Sequence, residues 1–370
     1  MTNFHLKEAI LHKQKMNIES IGNQFPHVTD NGVFDRRDHC FWTGGFWAGL
    51  SRLCYELSGD EAFYSHGDII TENIAKILRK EGATLGHDIG MLISPSAYAA
   101  YQIKGDKAAA DLVVEAAEIL ITRFHPEGNY IQAWDVTPGH PETEENAYRM
   151  IVDCLLNLPL LYRATELSGN PKYAQIASLH AESARRYLVR PDGTTNHTFI
   201  FYLNGQPKHP KTHQGHSHHS CWSRGQGWAV MGFALAYRFT KNPAFLKTAI
   251  LCADAFLRLT EPNGIPKWDF DFQGKRGSPR DTSAASITAC GLMEIYDATG
   301  DEKWKNEAER IFLELTKNYA TFGNDREEGM IREATGFLPA CLDINISLIY
   351  GDYYYVELYA RLAGVSRGYW

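Results

Sequence analysis

Apolar residues recur every three to four positions along most of this 370-residue chain, and the recurrence takes two alternating forms. It predicts helices near 4–20, 40–58, 61–79, 88–103, 107–124, 144–167, 171–188, 222–239, 242–259, 281–299, 302–319 and 341–363. One form is amphipathic with a charged face, as in Glu302-Lys303-Trp304-Lys305-Asn306-Glu307. The other is apolar nearly all round, as in Met150-Ile151-Val152-Asp153-Cys154-Leu155-Leu156. A helix apolar on every side is buried, and one with a charged stripe lies outside.

The connections alternate too. Leu57-Ser58-Gly59-Asp60, Ile103-Lys104-Gly105-Asp106, Leu167-Ser168-Gly169-Asn170, Phe239-Thr240-Lys241-Asn242 and Ala298-Thr299-Gly300-Asp301 join a helix end to a new helix start. Arg361-Leu362-Ala363-Gly364 is a partial copy. Gly supplies the left-handed cap, and Asp or Asn caps the next helix. The other connections are long and rich in Gly, Pro, His and Asp, with strand character only in pieces such as Thr198–Tyr202. A helix on each side of a tight turn, repeated, is an array of helical hairpins. Six inner and six outer helices close into an all-α (α/α)6 barrel, read here as one catalytic domain over residues 1–370. An open solenoid is the competing arrangement. In the closed form all inner N-termini and long loops share one rim, where unpaired N–H groups favour an anion.

Composition narrows the function. A net charge of −7 argues against a general nucleic-acid binder. No apolar run reaches the ~20 residues of a membrane span. Seven scattered cysteines without a C-x-x-C pair read as free thiols in a reducing compartment. The first residues lack the basic and apolar regions of a signal peptide, so a cytoplasmic location is expected.

Chemistry gathers at the starts of the inner helices. The first carries Trp42, Gly44, Gly45 and Phe46, where the glycines imply either close approach of a ligand or close helix packing. The second starts at His87-Asp88, with Asp88 a helix cap or a free carboxylate. In the third, Asn146, Arg149, Asp153 and Asn157 would form one narrow polar stripe on an apolar helix, with Pro159 kinking it. A carboxylate desolvated there suits a general acid, and Arg149 opposes the shift. The fourth pairs Arg224 with Trp228 one turn apart. An Arg at a helix N-terminus is disfavoured by the dipole and implies an anionic partner. Asp281 reads as a cap, Ser283 and Ser286 as packing, and Asp343, Asn345 and Ser347 as structural. His209, His213, His216, His218 and His219 crowd one loop, in no common zinc spacing, so no metal or other cofactor is expected. Two carboxylates, aromatic platforms and an Arg/His anion site fit chemistry on an acidic sugar.

The strings F-W-T-G-G-F-W-A-G, G-H-D-I-G, V-D-C-L-L-N-L-P-L-L, Thr212-His213-Gln214-Gly215, W-S-R-G-Q-G-W, P-R-D-T-S-A-A-S and G-D-Y-Y-Y-V-E, in that order, resemble the unsaturated glucuronyl hydrolases, glycoside hydrolases of family 88. The resemblance implies an (α/α)6 barrel and removal of a 4,5-unsaturated uronic acid from lyase-generated oligosaccharides by hydration of the C4=C5 double bond. It implies Asp153 as general acid/base and Asp88 as the second essential carboxylate, holding sugar hydroxyls. It implies substrate contacts at Trp42, His87, His197, Gln214, Arg224 and Trp228, with Phe46 and Trp134 near the aglycone and Thr212 near the uronate. His216-Ser217-His218-His219-Ser220-Cys221 departs from the aromatic and acidic residues usual there and bears on aglycone or sulfate preference. Alternatives on the same barrel are an unsaturated galacturonyl–rhamnose hydrolase, against which Gln226 weighs, an inverting glucanase, and a non-catalytic sugar-binding barrel.

Overall fold

The computed structural model describes residues 3–370. Among them, the outer helices are α1 (Asn3–Ile21), α3 (Glu61–Glu81), α6 (Lys107–Ile121), α8 (Lys172–Tyr187), α10 (Pro243–Leu259) and α12 (Glu302–Glu314). The inner ones are α2 (Gly44–Ser58), α4 (Ile89–Ile93) continued by α5 (Ala99–Lys104), α7 (Leu158–Ser168), α9 (Ser223–Thr240), α11 (Thr282–Thr299) and α13 (Ile349–Leu362). Each inner helix packs on the next, and α13 returns to α2, so the ring closes as an (α/α)6 toroid.

The turn signals do what their chemistry demands. Gly59, Gly105, Gly169 and Gly300 adopt the left-handed cap, as does Lys241 in the copy lacking glycine. Asp60, Asp106, Asn242 and Asp301 accept hydrogen bonds from the first turns of the helices they start. The first five inner helices each lead through such a turn to an outer helix running back, and the start of α13 lies beside that of α11, Gly351 against Ser283, so the inner N-termini share one rim. The short strands all belong to the long loops of that rim.

Three inner segments depart from the periodic reading. Residues 144–167 are not one helix: a 3₁₀ segment Pro141–Tyr148 is followed by strand Arg149–Ile151, a 3₁₀ turn Val152–Leu156 and then α7. The strand is recruited by Thr198–Ile200, so Arg149 pairs with Ile200 and Ile151 with Thr198. The helical stripe of Asn146, Arg149, Asp153 and Asn157 therefore does not exist. Pro159 sits in the first turn of α7, where a missing N–H costs nothing, and starts the helix without kinking it. The second inner helix opens into a π turn at Ser94–Tyr98, where Pro95 supplies no N–H. In the sixth, Leu342–Ile346 is a strand paired with Ala334–Phe337, and the helix begins only at Ile349.

Gly45 illustrates how tightly the ring is closed. A Cβ there would lie 2.4 Å from the carbonyl oxygens of Met91 and Leu92, so backbone-to-backbone packing of α2 on α4 requires the glycine. Close helix packing, the plainer of the two explanations, accounts for it.

Candidate active site

At the rim, Asp88 at the start of the second inner helix and Asp153 before the third lie close enough for the charge of one to shift the other. Asp88 stands at the start of α4 but makes no side-chain cap hydrogen bond, which leaves its carboxylate for other work. Its Oδ1 lies 3.5 Å from Asn157 Nδ2 and 3.5 Å from His87 Nδ1. Asn157 is held in that orientation because its Oδ1 accepts the Met91 N–H at 2.8 Å. Burial pushes the Asp88 carboxyl up to about 7, against the pull of Asn157 and Arg123.

Asp153 projects from the 3₁₀ turn that follows the strand, and that turn, not a helical stripe, delivers it to the rim. Its Oδ1 is buried without a partner. Burial and then the Asp88 charge raise its carboxyl to about 8, opposed by Arg224. Asp153 so displaced holds its proton at neutral pH, which an exposed aspartate does not, while Asp88 is about half ionised there.

His197 comes from the strand Thr198–Phe201 region and faces this pair, its Nε2 4.0 Å from Asp153 Oδ1. Its ring packs on Trp222 at 4.4 Å. Thr212, Gln214 and His213 lie on the turn beside it: Thr212 Oγ1 is 3.3 Å from His197 Nδ1. Gln214 Nε2 donates to the Gly336 carbonyl at 3.2 Å. Trp42 forms an aromatic wall with Tyr350, centroids 4.9 Å apart. Trp134 is half-buried; His213 is wedged between its ring at 4.9 Å and that of Phe337 at 4.5 Å. His87 is buried, and desolvation with the Arg123 charge lowers its imidazole to about 3, so it acts as a neutral ring.

Arg224, Phe46 and Trp228 are, like His87, almost wholly buried. The anion expected beside Arg224 is found inside the protein: Nη1 donates to Asp281 Oδ2 at 2.6 Å and to the Thr335 carbonyl at 2.7 Å, while Nη2 donates to Gly336 O at 2.7 Å. The guanidinium also lies over Trp222 and Tyr350. Phe46 has no exposed surface and packs among Tyr350, Tyr353, Tyr354 and Trp370. Trp228 is 1% exposed and backs Tyr350 and Tyr354 from the same layer. Gln226 is structural, its Nε2 donating to Gly193 O and Cys252 O.

The histidine loop is dispersed by its own contacts. His209 pairs with Glu145, which also binds Lys208 and Lys211. His216 stands edge-on to Phe272, and His218 Nδ1 accepts the Thr212 N–H. Burial and neighbouring cations lower His218, which disfavours a protonated form. Among the described residues no group of three or more His, Cys, Asp or Glu side chains is arranged to hold a metal ion.

Asn157, Asp281, Tyr350 and Phe337 also stand among these residues. The sequence shows Asn157 as a polar residue in an apolar run and Asp281 as a helix cap, and Asp281 does cap α11; Tyr350 and Phe337 carry no local signal, since their partners are distant in the chain.

Similarity to known proteins defines the class, a glycoside hydrolase built on the six-hairpin toroid. The sequence profile of Glycosyl Hydrolase Family 88 matches residues 14–258, and the chain belongs to that family. It is 38% identical over 361 residues to an unsaturated glucuronyl hydrolase of Bacillus sp. (strain GL1), covering 96% of this chain and 95% of that protein. It is 31% identical to an unsaturated chondroitin disaccharide hydrolase of Streptococcus agalactiae serotype III (strain NEM316), over all of this chain and 94% of that protein. The crystal structure of the unsaturated glucuronyl hydrolase from Bacillus sp. GL1, responsible for the degradation of glycosaminoglycan, superposes with a TM-score of 0.94 at 37% identity. That likeness covers 98% of this chain and 97% of the other.

Proposed function

We propose that this chain releases a 4,5-unsaturated uronic acid from the non-reducing end of glycosaminoglycan-type oligosaccharides, with Asp153 as acid/base and Asp88 as the residue that orients the ring. The observation that carries this is the Asp153 carboxyl, raised to about 8 by burial and carrying an unpartnered oxygen. Such a group holds a transferable proton at neutral pH. The proton goes to C4 of the vinyl ether and water adds at C5, its surplus proton returning to Asp153. The resulting C5 hemiketal opens by breaking its ring C–O bond, and C1, now a hemiacetal, expels the aglycone. Asp88, flanked by Asn157 and His87, accepts hydrogen bonds from the sugar hydroxyls. Trp42 and Trp134 offer ring faces, while Thr212, Gln214, His197 and His87 offer polar contacts.

Arg224 supports this site electrostatically: its charge reaches Asp153 although its hydrogen bonds go to Asp281 and the Thr335–Gly336 carbonyls. The whole span acts in this reading as one catalytic domain. Six of the seven thiols are buried and all are free, which supports a reducing, cytoplasmic setting. No helix among the described residues is long and apolar enough to cross a membrane.

The deciding experiment is turnover in heavy water of unsaturated disaccharides from chondroitin, hyaluronan, heparin and pectin. Hydration places deuterium on C4 of the released uronate and leaves saturated glucuronides untouched. An unlabelled C4 in the initial product, or turnover of the saturated analogue, points to direct attack at the anomeric carbon.

A further inference from the structure

His197 Nδ1 is the focus of a turn. The backbone N–H groups of His213 and Gln214 both donate to it, at 3.1 and 3.2 Å. A nitrogen that accepts two N–H bonds carries no hydrogen, so the ring hydrogen is on Nε2. Nε2 is buried without a partner, and so is Asp153 Oδ1, the atom it faces at 4.0 Å. Burial, with His213, Arg149 and Arg224 nearby, holds the imidazole well below its ordinary range, so the neutral tautomer persists.

The turn is itself anchored from outside the site. Thr212 Oγ1 accepts the Gly215 N–H at 2.9 Å. Asp269, 0% exposed, takes the His216 N–H at 2.9 Å and the Ser220 hydroxyl at 2.7 Å on one oxygen, and the Asp271 N–H at 3.1 Å on the other. Asp269 touches neither Asp153 nor His197, yet it ties down the segment whose amides set the His197 tautomer.

We infer that Asp269 is a positioning residue: by anchoring the Thr212–Ser220 turn it locks His197 as the Nε2–H tautomer, with a hydrogen-bond donor aimed at Asp153 Oδ1. At 4.0 Å the pair is not yet a hydrogen bond, but a donor facing Oδ1 favours the acid proton on Oδ2, the other oxygen. The other tautomer would present a lone pair to Oδ1 and draw the proton there, away from the substrate. The consequence for rate rests on Asp153 being the acid proposed above; the tautomer itself does not.

The test labels the full chain with ¹⁵N-histidine and reads two-bond ¹H–¹⁵N correlations, with His197→Gln identifying the His197 signals. The wild type shows hydrogen on Nε2 and a bare Nδ1. Asp269→Asn, nearly isosteric, gives exchange-averaged His197 nitrogens and a kcat lower by about 10-fold or more, with KM near wild type. Ser220→Ala removes one of the same anchors and moves both readouts the same way, so the proposal stays testable if the Asp269 variant does not fold. Hydrogen on Nδ1 in the wild type overturns the inference. So does an Asp269 or Ser220 variant that loses kcat with the tautomer unchanged, or loses the tautomer with kcat intact. Full activity of Asp153→Asn would instead remove the acid assignment and leave the tautomer result standing.

Discussion

Arg224 and Asp281 form an ion pair with no exposed surface, 2.6 Å from Nη1 to Oδ2, that ties the start of α9 to the start of α11. The same guanidinium holds the Thr335 and Gly336 carbonyls, so one side chain secures two inner helices and a hairpin of the rim. Asp281 is equally committed, its other oxygen accepting the Ser283 N–H and hydroxyl.

Removing one partner strands the other charge in the interior. Asp281→Ala is expected to destabilise by ~3–5 kcal/mol, as breaking buried pairs does. Replacing both residues by apolar ones of similar volume recovers most of that loss while KM stays high, because the hairpin has lost its anchor. Urea melts of the single and double variants, with saturation kinetics, check this; a double variant as unstable as the single would refute it.

Asp153→Asn separates chemistry from folding. Turnover is expected to drop at least ~10²–10⁴-fold, the usual contribution of a general acid. Stability should rise. A carboxyl raised in the fold binds its proton more tightly there than in the unfolded chain. It therefore stabilises fully below its unfolded value of 3.8 and loses that contribution as pH climbs toward about 8. Each tenfold displacement of the proton equilibrium is worth about 1.4 kcal/mol. The melting advantage of the Asn variant should widen from acid to pH 8 and then level off; a gain that shrinks with pH contradicts the assignment.

The pH profile follows from the same group. If Asp153 acts as the acid, kcat/KM in the wild type falls tenfold per pH unit above about 8, where the free enzyme loses the proton. Rates measured across pH 5–10 on an unsaturated disaccharide decide it, and a limb set near the ordinary aspartate value would remove Asp153 from that role.

Gly45→Ala tests the packing account of the paired glycines. Its Cβ would meet two backbone oxygens at 2.4 Å, so α2 and α4 must separate, at a cost of ~1–3 kcal/mol or more. A thermal melt matching wild type would reopen the reading that the glycine serves ligand approach.

Much of the site was legible in short strings. His87-Asp88 and Trp42 stand at helix starts that capping and periodicity locate, and Asp153 stood out as a lone carboxylate in an apolar run. Its setting was not legible. A run of apolar residues suits a helix or a buried strand equally, and only pairing with Thr198–Ile200 turned Arg149–Ile151 into a strand. How far Phe46 and Trp228 are buried was not legible either, because an aromatic near a helix start looks alike whether it lines a site or packs beneath it.

The division between the two kinds of information is one of range. Helix ends, the two helix classes and hence the six-hairpin order follow from interactions between residues a few positions apart: caps, left-handed glycines and the 3.6-residue period. What the tertiary structure alone decided joins residues far apart in sequence: Arg224 to Asp281, Asn157 to Asp88, the His213–Gln214 amides to His197. None of those side chains differs by type from a solvated counterpart elsewhere in the chain. Their charges, tautomers and proton affinities are set by which partner, and how little water, the closed ring brings to them.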